Sequence, residues 1–317
     1  MIKINMVNFF DKMRIETRIF IFILFYLLLN SVVYTQDFSG KFNKLRAYEH
    51  LVNQCNYGPR VSGSEAHQKC LGYIKENLEK CGFKVELQQF KKYSSLLGQE
   101  LELTNIIGSI NSDKKKRICL SAHWDSRPIA EEDSKNKNSP ILGANDGASG
   151  VAILLEVAKV LGENKPDCGV LIIFFDGEDL GFKENIYEYC LGSQYFAENA
   201  LDKFPFDLGI NIDLVGDKDL DIKKEMYSIN SSKETVEKIW QIGKSISEKA
   251  FPDMTGRMVY DDNVPFIKKG KKYINLIDYN YKYWHTLDDT PDKCSPESLS
   301  IVGKTLLKFI YNEFCKN

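Results

Sequence analysis

No two of the eight cysteines in this chain stand in Cys-x-x-Cys spacing, which argues against a thiolate zinc site and against a thioredoxin-like redox site. Positive charge is not in excess either. The 317 residues carry 42 Lys and Arg against 44 Asp and Glu, a formal net charge of -2, so no overall basic field would draw in a nucleic-acid backbone. Nucleic acid is therefore not an expected partner. No internal repeat or linker divides the chain, and 43% hydrophobic content at this length suits one large α/β domain. Histidine is scarce: only His50, His67, His123 and His285 are present.

The N-terminus has its own pattern. Lys3, Lys12, Arg14 and Arg18 precede an apolar run over residues 19–29, followed by Asn30 and Ser31, in the manner of a secretory signal. Val32, Val33 and Tyr34 extend the run weakly towards the ~17 residues that cross a bilayer, and Val33 with Thr35 matches a small-residue cleavage site poorly. Residues 1–35 are thus read as a signal peptide, with a membrane anchor as the alternative, and residues 36–317 as the functional domain of an exported protein. An even cysteine count in an exported chain allows one or more disulfides, with no connectivity readable. Cys119 lies inside an apolar strand pattern, and Cys70 and Cys81 are three helical turns apart, which suits small buried side chains.

Residues 64–80 carry Cys70, Leu71, Ile74 and Leu78 at helical spacing, with Ser64 as N-cap and Gly82 beyond the end. Residues 84–90 alternate as a strand does, and residues 105–110 and 117–122 read as further strands. Residues 147–161 form a strongly apolar helix. Residues 170–175 are a continuous apolar run with β-branched members, the pattern of a strand buried on both faces, and residues 209–215 are similar. The alternation predicts an α/β fold, a central mixed, largely parallel sheet covered by helices on both faces. The polar stretch 131–139 reads as a surface loop.

Acidic and histidine residues fall at the ends of these strands, where open α/β sheets place their ligands. Strand 117–122 runs into His123-Trp124-Asp125, strand 170–175 into Asp176-Gly177-Glu178-Asp179, and strand 209–212 into Asp213, while Asp146 stands just before the apolar helix. Catalytic zinc takes three protein ligands of this N/O kind and leaves a fourth position open. His50 and His67 sit in ordinary amphipathic contexts and read as structural; His123 and His285 each abut a tryptophan close to aspartate. Any one of these residues alone is more often a cap or a turn residue. The signal is the ordered set.

That set, His123-Trp124-Asp125, Asp146, Glu178-Asp179, Asp213 and His285, resembles the zinc-exopeptidase superfamily of bacterial leucyl aminopeptidases and glutaminyl cyclases, from about residue 53 to the C-terminus. The segments "YDDNVPFIKKG" (residues 260–270) and "YWHTLDDT" (residues 283–290) are similar to the glutaminyl-cyclase versions, as are "SAHWDSRP", "PILGANDGASGVA" and "CLGSQYFA" to those of the bacterial relatives. The resemblance implies the aminopeptidase-like zinc-hydrolase fold and conversion of an N-terminal glutamine of peptides or proteins to pyroglutamate. It also implies one Zn2+ per chain, with Asp146, Asp179 and His285 as ligands. Glu178 would shuttle the proton, with Asp213 and Asp261 as its hydrogen-bonded acidic partners, and Trp284 would wall the substrate pocket. Three departures from the animal cyclases stand out: Asp179 replaces Glu, Asn263 replaces a frequent His, and no tryptophan follows Asp179. Phe182, Tyr187 and Tyr189 are the candidates to line the pocket in its place.

Two rival readings remain at the level of sequence. A two-zinc aminopeptidase would use His123 and Asp213 with Asp146 for a second metal and Glu178 to activate a water. It leaves Asp261 and Trp284 without a role. A catalytically silent binding ectodomain has no need to keep this many ionisable groups at strand ends.

Overall fold

The seven residues Gly169–Phe175 are buried at every position, and their side chains divide by alternation. Val170, Ile172 and Phe174 enter one apolar cluster, Leu171, Ile173 and Phe175 another on the opposite face. A continuous apolar run is thus a strand covered on both sides, as its sequence predicts. The computed structural model describes residues 37–182 and 184–316, and the segment read as a signal or anchor lies outside them. Among the described residues no helix is long and apolar enough to cross a membrane.

The strands are β1 (Lys84–Ser94), β2 (Gln99–Ile110), β3 (Arg117–His123), β4 (Gly169–Phe175), β5 (Leu208–Asp213) and β6 (Tyr273–Ile277), in the order β1-β2-β4-β3-β5-β6. β1 and β2 form an antiparallel hairpin, and β2 lies antiparallel to β4. The β3–β4, β3–β5 and β5–β6 pairings are parallel. The sheet is therefore mixed, with a parallel half that carries the acidic strand ends on one edge.

Helices α1 (Lys44–Asn56), α2 (Glu65–Lys80), α3 (Ala148–Glu163), α5 (Met226–Ile246) and α7 (Pro296–Phe309) contribute to the larger apolar cluster, and α4 (Leu191–Asn199) and α6 (Val264–Lys268) to the smaller one. The cap read from Ser64 is present, its hydroxyl accepting from the His67 backbone N–H at 3.1 Å. α3, whose sequence is apolar almost all round, is buried along its length against the parallel strands. β1 and β2 run longer than their sequence patterns indicate, because each completes the other's backbone ladder beyond the apolar stretch. Helices α1, α4, α5, α6 and α7 and strand β6 are additions to the sequence reading.

His67 is structural, as expected. Its buried ring stacks on Trp124 with centroids 4.0 Å apart, and its Nε2 lies 2.9 Å from Asp176. His50 is tied to the Tyr73 hydroxyl at 2.6 Å.

One disulfide joins Cys168, just before β4, to Cys315 near the C-terminus, with Cα atoms 5.3 Å apart and a sequence separation of 147. Cys119 and Cys70 are buried free thiols, in keeping with their apolar contexts. Closing so long a loop removes much of the unfolded chain's freedom, so Cys315→Ser should destabilise the protein by about 2–5 kcal/mol. Thermal denaturation checks it: Tm should fall, and reductant should bring the wild type down to the same value. Equal Tm for both proteins in oxidising buffer would contradict the assignment.

Candidate metal centre and its pocket

Parallel pairing brings the ends of β3, β4 and β5 together, so that residues far apart in sequence share one edge of the sheet. Asp146 is added by the turn before α3. Gly147 makes that turn with φ +77°, and a Cβ there would stand 2.8 Å from His123 Cε1 and from the His123 carbonyl oxygen. Only glycine meets both demands.

Three groups of donors result. Asp146, Asp179 and His285 offer atoms within 4.8 Å of one another, as do His123, Asp146 and Asp213, and a third group joins Glu178, Cys190 and Asp261. His285 Nε2 lies 3.2 Å from Asp179 Oδ1 and 3.7 Å from Asp146 Oδ2. Asp146 Oδ2 and Asp179 Oδ2 are buried without a hydrogen-bond partner among the described residues. Two orphaned carboxylate oxygens beside an imidazole nitrogen fit a cation of the zinc type, which takes oxygen and nitrogen donors. The other ring nitrogen, Nδ1, is 2.7 Å from Glu131 Oε1. A carboxylate there fixes the ring's orientation in the way metal-binding histidines require.

The clustered acids perturb one another. Burial, with the charge of Asp179 added, pushes Asp146 up to about 7. Burial also drives Glu178 well above the usual carboxylate range; Asp179, Asp261 and Asp262 reinforce it, and His123 opposes it. Asp261 is raised in the same sense by burial, Asp213 and Asp262. Burial disfavours an ionised Asp179 too, yet the charges of His285 and Arg127 hold it below the usual range. For His123 burial opposes the imidazolium, but Asp213, Asp125 and Asp146 outweigh it and raise the ring well above its ordinary value. Negative charge is in surplus here, and a bound cation would relieve it.

Every site residue named from sequence lies at this edge. Trp284 is 37% exposed, stacks on His285 with centroids 3.6 Å apart and lines the pocket. The pocket has a volume of ≈ 330 Å³, and of the three aromatic candidates after Asp179 it is lined by Tyr189. The acidic network differs from expectation in one respect. Asp213 Oδ1 faces His123 Nε2 at 3.2 Å, and Asp261 accepts from Asn211 Nδ2 at 3.2 Å and Asn275 Nδ2 at 2.6 Å. The hydrogen bond that reaches Glu178 Oε1 comes instead from the Cys190 thiol, at 3.3 Å. Asn263 is fully buried, with neither amide atom hydrogen-bonded among the described residues.

Sequence reading misses the scaffold of the site. Asp125, seen only as part of a motif, accepts the backbone N–H groups of Glu178 at 3.1 Å and Asp179 at 3.2 Å. Asp289 does the same for Asn145 at 2.9 Å and Asp146 at 3.1 Å. Arg60 is fully buried and donates to the carbonyls of Trp124, Leu142 and Gly143. Arg127 bridges Glu131, at 2.6 Å, and Asp179, at 3.1 Å. Residues 131–139 are therefore not simply a surface loop, since their first member holds His285. A charge at each end of the Arg127–Glu131 pair, four residues apart and next to the His-Trp-Asp segment, is the available signal.

An open, partly parallel α/β sheet with carboxylate and imidazole clusters at its strand ends defines the zinc-exopeptidase-like class of enzymes. The chain belongs to Peptidase family M28, whose profile matches residues 105–310. It is 38% identical to the crystal structure of the Bacteroides thetaiotaomicron glutaminyl cyclase bound to N-acetylhistamine, with a TM-score of 0.83 over 86% of this chain and 98% of that one. The same identity, TM-score and coverage hold for a structure described as a leucine aminopeptidase precursor from Bacteroides thetaiotaomicron. The glutaminyl-peptide cyclotransferase of Drosophila melanogaster is 27% identical over 275 residues, 77% of this chain and 75% of the fly protein.

The double clamp by Asp125 carries a prediction. Asp125→Ala strips two buried N–H groups of a charged acceptor and should cost about 2–5 kcal/mol in urea denaturation of the metal-free protein. A loss below about 0.5 kcal/mol, the scale of an ordinary surface substitution, would show that the Glu178-Asp179 turn holds itself.

Proposed function

We propose that this chain is a glutaminyl-peptide cyclotransferase, converting the N-terminal glutamine of peptides and proteins to pyroglutamate with release of ammonia. The observation that carries the reading is Asp261. This fully buried carboxylate is aimed by two asparagine amides into the pocket that also holds Glu178 and the Asp146, Asp179 and His285 donors. A cyclase has work for a second acid beside the shuttle; hydrolysis at a two-metal centre has none. The 38% identity to a bacterial glutaminyl cyclase supports the same reading.

In the proposed reaction the α-amine attacks its own γ-carboxamide carbon, the ring C–N bond forms, the bond to the side-chain nitrogen breaks and ammonia leaves. A zinc ion held by Asp146, Asp179 and His285 would supply Lewis-acid polarisation of the γ-carbonyl. Glu178 accepts a proton from the attacking amine and returns it to the departing nitrogen, acting as base and then as acid. Its raised proton affinity, set by burial and acidic neighbours, suits the second half of that task. Asp261 sits beside it, and burial together with Asp213 raises its proton affinity in the same sense. Trp284 and Tyr189 fold the short glutamine side chain back towards its amine and exclude water.

The runner-up is a two-zinc aminopeptidase, favoured by the His123, Asp146 and Asp213 cluster. In that cluster His123 Nε2 lies 3.1 Å from Asp146 and 3.2 Å from Asp213, a spacing like that of His285 and Asp179, but it lacks the pair of orphaned carboxylate oxygens that Asp146 and Asp179 bring to the first set. Export is part of the proposal: the Cys168–Cys315 disulfide suits an oxidising compartment, as does the basic-then-apolar N-terminus.

Elemental analysis should find one zinc per chain, lost in His285→Ala and retained in His123→Ala. Glu178→Gln should keep the zinc while ammonia release from Gln-initiated peptides falls on the order of 10²-fold or more. Two tightly held zincs, one of them lost with His123→Ala, would favour the aminopeptidase.

A further inference from the structure

The pocket is acidic at its floor, where Asp146, Glu178, Asp179, Asp213 and Asp261 gather, and among its described lining residues the one permanent cation is Arg257. Arg257 is exposed, and its guanidinium lies over the Tyr279 ring, 4.5 Å from the centroid. Its backbone N–H donates to the hydroxyl of the same tyrosine at 2.9 Å. The other four described arginines each have a guanidinium engaged by carboxylate or carbonyl oxygens: Arg46, Arg60, Arg117 and Arg127. Arg257 has no such acceptor among the described residues. A second cation stands close by. Lys268 Nζ lies 5.0 Å from the ring of Tyr260, which lines the same pocket, and 5.5 Å from that of Tyr187, and it too has no described ion pair. Both cations are held against aromatic faces with their charges unspent.

This placement bears on the part of a substrate beyond its first residue. With the glutamine side chain at the metal donors and its amine at Glu178, the rest of the peptide leads outward, past the exposed wall that bears Arg257. Among the described lining residues Arg257 alone offers a carboxylate on the peptide a permanent positive charge. Arginine's planar fork suits such a group.

Building on the cyclase reading, we infer that Arg257 is a specificity-determining residue that receives a carboxylate carried by the peptide just beyond its N-terminal glutamine. Two sources share this chemistry: the side chain of an acidic second residue, and the free C-terminal carboxylate of a dipeptide.

The test compares kcat/KM for Gln-Glu-Ala-NH2, Gln-Gln-Ala-NH2 and Gln-Lys-Ala-NH2, and for Gln-Ala against Gln-Ala-NH2, in the zinc-loaded wild type and in Arg257→Gln and Arg257→Lys. An exposed pairing of this kind is expected to favour the acidic peptide over the neutral one about three- to fivefold, through KM. That ratio should collapse towards one in Arg257→Gln, be largely kept in Arg257→Lys, and shrink as salt is raised. The first peptide set reports the side-chain source and the second the C-terminal source. Cyclisation of all the peptides with no charge preference, or a preference that survives Arg257→Gln, overturns the inference and leaves the cyclase reading standing. No ammonia from any Gln peptide overturns both.

Discussion

Buried negative charge is the constraint on which this structure turns. Asp125, Asp146, Glu178, Asp179, Asp213, Asp261 and Asp262 are all nine-tenths or more buried at one edge of the sheet. The cations that face them there are His123, His285 and Arg127. Carboxylates taken out of water are costly unless paired or hydrogen-bonded. The molecule offsets the cost in three ways: by clamping backbone N–H groups onto Asp125 and Asp289, by running Arg127 and Glu131 between Asp179 and His285, and by raising the proton affinity of the acids left without a cation. The two orphaned oxygens that stand beside an imidazole, on Asp146 and Asp179, are where a metal fits.

Holding the cluster also bends the chain into unfavourable backbone. Of the four non-glycine residues with positive φ among those described, Cys190, Leu214 and His285 stand at or directly beside the site. Such conformations cost on the order of 1–3 kcal/mol each and persist only where the surroundings over-determine them. Here the surroundings are the buried apolar strands β4 and β5 and helix α3, packed from both faces. The apolar core and the strained acidic rim are therefore one design, since the rigidity of the first holds the second open to a ligand.

How far the sequence reveals this depends on which interactions are local. β4 and α3 are legible because burial writes itself into consecutive residues, and the acids are legible because each directly ends such an element. The Asp146, Asp179 and His285 grouping comes from motif order, since nothing local says that residues 146 and 285 meet. Asp125 and Asp289 as clamps, and Glu131 as the holder of His285, are invisible without coordinates: their partners are 53, 144 and 154 residues away in sequence and are in part backbone groups, which carry no residue signature. The loop reading of residues 131–139 fails at Glu131 for that reason. Family resemblance alone pairs Asp213 with Glu178, whereas the parallel register of β3 and β5 puts it opposite His123.

The central claim is that the group presented to the metal donors is the side-chain amide of the first residue and not the peptide bond after it. Mass spectrometry of the purified protein incubated with Gln-Phe-Ala and with Leu-Phe-Ala tests this most directly. The account predicts a loss of about 17 mass units from the first peptide only, with chain length unchanged and the second peptide intact. Free leucine released from the second at a comparable rate would contradict it.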